Sequence, residues 1–192
     1  MDDEFDGSVL DAKWTTAYQG SQAATPSGGY LRFTNANLSG DHVGYIYQTY
    51  PATPCTFLIK TSIADWFNAG LTTSGICVAD GTGKIVAFTV GATGGGSGAT
   101  VQYWTNPTTF SSTPYNNTNF NIFAKWHYMQ ISDDGTNLTF STSETGIEFF
   151  PRFVVGRTAF LTAGPTRIGV LSYSQLTGVT FPVLYDWFRR TA

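Results

Sequence analysis

The chain has 192 residues, of which 42% are hydrophobic, 16% aromatic and only 12% charged. Globular chains average about 25% charge, so this surface consists mostly of uncharged Thr, Ser, Asn and Gly. The aromatic content excludes disorder, and no apolar run approaches the roughly 18 residues of a membrane helix. A formal net charge of −3 with 10 Lys+Arg argues against capture of nucleic acid or of an anionic membrane. The expectation is one β-rich domain over residues 1–192, large enough to bury a sizeable core.

The N-terminus, Met1-Asp2-Asp3-Glu4-Phe5, has neither the basic start nor the apolar stretch of a secretory signal. A chain made without secretion, such as a virion component, or a segment of a longer surface protein fits that start. No stretch keeps the i, i+3, i+4, i+7 apolar pattern of a helix, whereas short β-type runs recur. Tyr30–Thr34 and Val43–Gln48 alternate, and Cys55–Ile63, Ser74–Ala79 and Lys84–Val90 follow. Asp80-Gly81-Thr82-Gly83 separates the last two and predicts a hairpin. Next come Ala99–Trp104 and Trp126–Ser132; Asp133-Asp134-Gly135 then turns the chain into Asn137–Thr142. Ile168–Leu171 and Leu184–Arg189 complete the series. Strands at this spacing predict an all-β sandwich or barrel. Gly91–Gly98 and Thr105–Asn121 read as exposed connections.

The residues Asp3-Glu4-Phe5-Asp6-Gly7, Leu10-Asp11 and Trp14 resemble the opening of concanavalin A-like jelly rolls. That opening is most similar to those of laminarinase and lichenase β-glucanases, and the wider resemblance takes in laminin-G-like domains. Gly28-Gly29-Tyr30-Leu31-Arg32-Phe33 looks like the second strand, and Ser74 to Asp80 like the middle hairpin. Trp126 to Gly135 with Asn137 to Ser141 is similar to a later hairpin, and Tyr185-Asp186-Trp187-Phe188-Arg189 to the closing strand. The order and spacing agree over most of the chain. The resemblance implies two facing antiparallel sheets, one of them concave, with neighbouring termini.

In the lytic members of that family a central strand carries Glu-x-Asp-x-Glu. Alternation places its three carboxylates on one face, around the glycosidic bond. This sequence has no such triplet; between Lys60 and Lys125 the carboxylates are Asp65 and Asp80 alone. Asp133-Asp134 reads as turn chemistry, and Gly146 marks Glu144 to Glu148 as a loop. His42 and His127 have no nucleophile signature beside them, and they and Cys55 and Cys77 show no zinc spacing. Both cysteines sit in apolar runs and read as small buried hydrophobes. The expectation is therefore of a chain that is not an enzyme.

Two positive features remain. The resemblance implies a structural calcium ion held by the Glu4 carboxylate, the Gly29 carbonyl and the Asp186 carboxylate, an oxygen set suited to a hard cation. The aromatic supply points to sugar, because aromatic rings stack on the apolar faces of saccharides while amides bond their hydroxyls. Trp66, Tyr103, Trp104, Trp126, Tyr128 and Gln130 are the candidate binding residues. Trp126, Tyr128 and Gln130 share a strand face assigned to the concave sheet, leaving His127, Met129 and Ile131 for the core. The leading expectation is a non-catalytic, lectin-like carbohydrate-binding module, such as a surface adhesion domain, with a glycan or polysaccharide as its partner. The alternative is a bacteriophage virion protein (tail, fibre or capsid decoration) that meets other virion or surface proteins. A divergent glycoside hydrolase is the third reading, and it requires carboxylates from different strands to converge.

Overall fold

The computed structural model describes residues 1–17, 22–34, 40–63, 72–93, 96–118, 126–174 and 182–191. Among these residues there are strands and turns but no α-helix. The strands in chain order begin with β1 (Thr15–Ala17), β2 (Ala23–Ser27), β3 (Tyr30–Thr34), β4 (Val43–Thr49) and β5 (Cys55–Ile63). Then follow β6 (Thr72–Ala79), β7 (Ile85–Thr93), β8 (Gly96–Asn106), β9 (Thr109–Asn117) and β10 (His127–Asp133). The series ends with β11 (Asn137–Ser143), β12 (Phe150–Gly156), β13 (Arg167–Ser174) and β14 (Pro182–Thr191). They form two seven-stranded sheets, β1-β4-β13-β6-β7-β8-β9 and β12-β11-β10-β5-β14-β3-β2. The all-β sandwich of two antiparallel sheets expected from the sequence is what the chain forms.

Period-2 alternation decides which side chains meet between the sheets. Phe57, Ile59 and Ile63 of β5 point inward, and Met129 and Ile131 of β10 join them. Ile76, Val78, Phe88, Val101 and Val170 answer from the first sheet. Each such fully buried side chain contributes about 1.5–3 kcal/mol of transfer free energy. Both cysteines are buried and unbonded to each other, as small apolar fillers. Both anticipated hairpins form, and each is braced by an aspartate. Asp80 Oδ1 accepts from Thr82 N–H at 2.8 Å and Lys84 N–H at 3.1 Å. Asp133 is buried, and its Oδ2 accepts from the Tyr50 hydroxyl at 2.9 Å and Arg157 Nε at 2.7 Å.

Polar contacts cross the core, among them Thr61 Oγ1 to Ser74 Oγ at 3.1 Å and the hydroxyl of Tyr185. Tyr185 of β14 is fully buried and reaches the backbone of the opposite sheet. Its hydroxyl accepts from Gly75 N–H at 2.9 Å and lies against the carbonyls of Gly75 and Leu171. Gly75 and Gly169 lie on neighbouring strands β6 and β13, and neither has room for a side chain. A Cβ at residue 75 would collide with the Phe88 carbonyl, and one at residue 169 with the Ile46 carbonyl.

These close approaches accompany strong coiling of the first sheet. Trp104 of β8 lies in register with Ile85, Ala79 and Arg167, whereas Tyr173 sits near the far end of β13. On a flat sheet their backbones would be about 14 Å apart across the strands and about 20 Å along them. Their rings nevertheless meet edge to face at 5.0 Å. Val43 N–H, at the start of β4, also donates to the Pro107 carbonyl in the β8–β9 turn at 2.8 Å. The sheet must bend toward its outer side for these contacts to form, so the first sheet is the concave one.

The sequence reading is amended in three places. β9 occupies the stretch expected to be a loop; its Thr, Ser and Asn carry no alternation, and backbone pairing with β8 sets its conformation. β7 and β8 also extend into the glycine-rich stretch, through Thr93 and from Gly96. The face holding Trp126, Tyr128 and Gln130 belongs to the second sheet, because β10 pairs with β5 and β11. Alternation separates the two faces of a strand but does not say which sheet the strand joins.

Two stability predictions follow from these contacts. Tyr185→Phe should cost about 1–3 kcal/mol in urea unfolding, because Gly75 N–H is left unsatisfied. Burial raises the Tyr185 hydroxyl well above the ordinary tyrosine range. Its contribution is therefore intact below the unfolded value of about 10 and declines as pH climbs past it. The variant should show a shallower alkaline loss than the parent. Gly169→Ala should destabilise by about 3 kcal/mol, since the obstructing atom is backbone; an unchanged melting temperature would contradict the close approach.

Candidate functional site

Most of the concave face of the first sheet is filled by buried side chains, with half-exposed Tyr47 and Arg167 at its margin. Tyr45, Cys77, Ala79, Ile85, Ala87, Trp104, Leu171 and Tyr173 form a second apolar cluster there. Trp104 is fully buried, edge-on to Tyr173 and to Phe110 at 5.4 Å, with its Nε1 donating to Gln102 Oε1 at 3.3 Å. Tyr103, its neighbour in the strand, points the opposite way. It stacks on Phe160 with ring centroids 4.4 Å apart and only 11° between the planes.

The outer face of the second sheet is different in kind. Tyr30, Trp126, Tyr128, Gln130 and Trp187 are all half-buried there. Tyr30 and Trp126 stack with centroids 5.4 Å apart, and Lys60 Nζ sits 4.8 Å from the Trp126 ring. The same ammonium donates to Asp186 Oδ2 at 2.6 Å, and this contact raises the Lys60 pKa. Tyr128 lies 6.1 Å from Trp187, whose other neighbour is the Arg189 guanidinium, 4.5 Å from its centroid. Arg189 in turn holds Glu4 through two contacts of 3.0 Å, which raise the arginine's pKa further. Carboxylates from two separate elements, β14 and the N-terminal segment, thus share a face with four aromatic rings.

Of the six candidate sugar-binding residues, this face gathers Trp126, Tyr128 and Gln130. Trp104 is on the concave face, Tyr103 points inward, and Trp66 lies outside the described residues. Tyr30, Lys60, Trp187 and Arg189 are additions. Simple alternation through Tyr185-Asp186-Trp187-Phe188-Arg189 would set Tyr185, Trp187 and Arg189 on one side. A β-bulge between Tyr185 and Trp187 instead sends Tyr185 and Phe188 inward and Trp187 and Arg189 outward. The hint in the sequence was Trp187 next to a buried aromatic; the bulge itself leaves no composition signal.

The expected calcium ligands do not fit a divalent ion. Glu4 is occupied by the Arg189 guanidinium and Asp186 by the Lys60 ammonium. A calcium ion would have to displace a cation from each carboxylate and sit beside both positive groups. No group of three or more His, Cys, Asp or Glu among the described residues is arranged to hold a metal. A separate pocket of about 250 Å³ near the N-terminus is lined by Asp3, Phe5, Asp6, Val9, Asp11 and Pro26. Two of its carboxylates are already bound by Lys13, at 3.2 Å from Asp3 and 3.5 Å from Asp11.

No protein-family model and no curated protein sequence matches the chain. Solved structures do share its fold. A variant of the GH43 protein BlXynB from Bacillus licheniformis superimposes with a TM-score of 0.78 at 16% identity, over 100% of this chain and 39% of that one. The chain thus spans about two fifths of that structure's length. A β-1,3-glucanase from Mycobacterium marinum matches with a TM-score of 0.63 at 17% identity, over 100% of this chain and 97% of its own. An endo-acting O-glycanase of the human gut microbiota, credited with initiating mucin breakdown, matches at 0.66 and 14% identity, over 100% and 98%. At such identities the likeness is one of fold alone, a two-sheet β-sandwich shared with these glycoside hydrolase structures. It corrects the functional expectation. The non-catalytic lectin-like module and the virion protein give way to the glycoside-hydrolase reading, and with them goes the expectation that the chain is not an enzyme. A missing local triplet does not remove the chemistry, because carboxylates can be assembled from distant elements.

The ion pairs on this face yield a direct test. The melting temperature should be the same in calcium and in chelator, whereas Lys60→Met should lower it by leaving Asp186 without its partner. A melting temperature that rises with added calcium would show that the ion displaces the two cations.

Proposed function

We propose that the chain is a divergent glycoside hydrolase of the concanavalin A-like type, acting on a polysaccharide laid across the outer face of the second sheet. The observation that carries this reading is the grouping of Tyr30, Trp126, Tyr128 and Trp187 around Asp186 and Glu4. Half-exposed rings offer stacking surface to the C–H faces of sugars, and Gln130 offers an amide to their hydroxyls. Most glycoside hydrolases flank the glycosidic bond with two carboxyl groups. On this face Asp186 is tied through Lys60 to Trp126 and Glu4 through Arg189 to Trp187, and we take these two, from β14 and the N-terminal segment, as the acting carboxyl groups. This differs from the laminarinase and lichenase arrangement, in which one strand supplies them all. The hydrolase fold of the neighbours supports the reaction class, and their named substrates suggest where to look for the substrate.

The test is release of reducing ends from xylan, β-1,3-glucan and mucin O-glycans. The wild-type chain should act on at least one of them. Trp126→Ala should raise KM about tenfold, the scale of one lost stacking contact. Asp186→Asn should lower kcat by about 10²-fold or more, as expected of a group acting directly on the bond. A wild-type protein that releases nothing from any of the three would overturn the reading.

A further inference from the structure

The seven strands of the first sheet contain a single charged residue, Arg167, the first residue of β13. Its side chain belongs to the concave side, since the β13 residues Ile168 and Val170 point into the core and Leu171 and Tyr173 into the outer cluster. The guanidinium is positioned by its neighbours. Its Cζ lies 4.7 Å from the Tyr47 ring centroid, and Nη1 donates to the Tyr45 hydroxyl oxygen at 3.5 Å. Arg157 and Arg189 each hold a carboxylate, whereas no carboxylate among the described residues pairs with Arg167.

An oriented guanidinium without an anion is a binding element waiting for one. Its planar fork matches carboxylate and sulfate geometry through paired N–H donors. Among the described residues no acceptor bonds Nε or Nη2, so the fork can face a ligand. Stacking on Tyr47 holds the plane and lowers the entropy lost on binding. The buried Tyr45 accepts from Arg167 and helps to fix the orientation of the guanidinium. The half-exposed position of Arg167 and Tyr47 keeps the group accessible from solvent while the apolar cluster beside it lowers the local dielectric.

We infer that Arg167, with Tyr45 and Tyr47, forms a site on the concave sheet for the oxyanion of an acidic saccharide, a uronate carboxylate or a sulfate ester. The site lies on the sheet opposite the Trp126 face and does not depend on hydrolysis there. A single group of this kind contributes specificity rather than high affinity, so the acidic saccharide is selected over its neutral counterpart. Because the contact is charge-assisted and only half-buried, added salt weakens it.

The experiment is calorimetric titration of the full chain with oligogalacturonides, with sulfated carrageenan oligosaccharides and with neutral xylo-oligosaccharides. One acidic series should bind more tightly than the neutral one, with affinity falling as salt rises. Which of the two acidic series binds distinguishes carboxylate from sulfate recognition. Arg167→Gln should weaken that binding about tenfold, the scale of one lost charge-assisted contact. Arg167→Lys should restore little of it, because a point charge does not replace the fork. Melting temperatures of both variants separate a lost contact from a lost fold. Equal affinity for neutral and acidic oligosaccharides, or acidic binding untouched by either variant, would overturn the site. Failure of hydrolysis on the second-sheet face would leave these titrations unaffected, so the two proposals fail separately.

Discussion

The close packing of backbones at Gly75 and Gly169 is the constraint on which the rest of the structure depends. Neither point has room for a side chain, and close approach there accompanies the coiling of the first sheet toward its outer side. Tyr185 exploits the same location from across the core, bonding the Gly75 backbone. Tyr185 thus links the two sheets at a point where the first has no room for a side chain. Replacing water at that buried hydroxyl with backbone partners makes the crossing favourable, because an unsatisfied group there would cost as much as the contact contributes.

The coiling has a consequence for every aromatic residue on the first sheet. Trp104 and Tyr173, far apart in register, come into ring contact and bury each other. A tryptophan that composition offers as a sugar platform is therefore spent on closing the concave side. The half-exposed rings are left on the second sheet, where Lys60, Asp186, Arg189 and Glu4 interleave with them. Charge is divided in the same way. The first sheet keeps one arginine in its strands, and the second gathers paired ions among its rings.

Much of this was legible in the chain. Alternation in Trp126–Ser132 predicted that His127, Met129 and Ile131 enter the core, because a strand with one buried face must repeat every two residues. The aspartate-glycine turns predicted both hairpins, because their side-chain acceptors cap the turn locally. β9 and β12 were not legible. β9 is too polar and too irregular to alternate, and β12 (Phe150–Gly156) carries exposed Phe150 and Val154 at a sheet edge. The candidate site was legible only in part. Trp126, Tyr128 and Gln130 were found as one face, but Tyr30, Trp187 and Arg189 join them through strand order and a bulge.

By itself, the sequence determined the fold class, the core-facing positions of the clearly alternating strands and the absence of a single-strand carboxylate triplet. These are properties of residue type and spacing, set within a few residues of one another. Tertiary structure alone decided which sheet each strand joined, which tryptophan stayed accessible and which cation reached each carboxylate. Glu4 and Arg189 stand at opposite ends of the chain, as Lys60 and Asp186 stand far apart in it. Such pairings are made by strand order and sheet curvature, and neither is encoded in any local stretch.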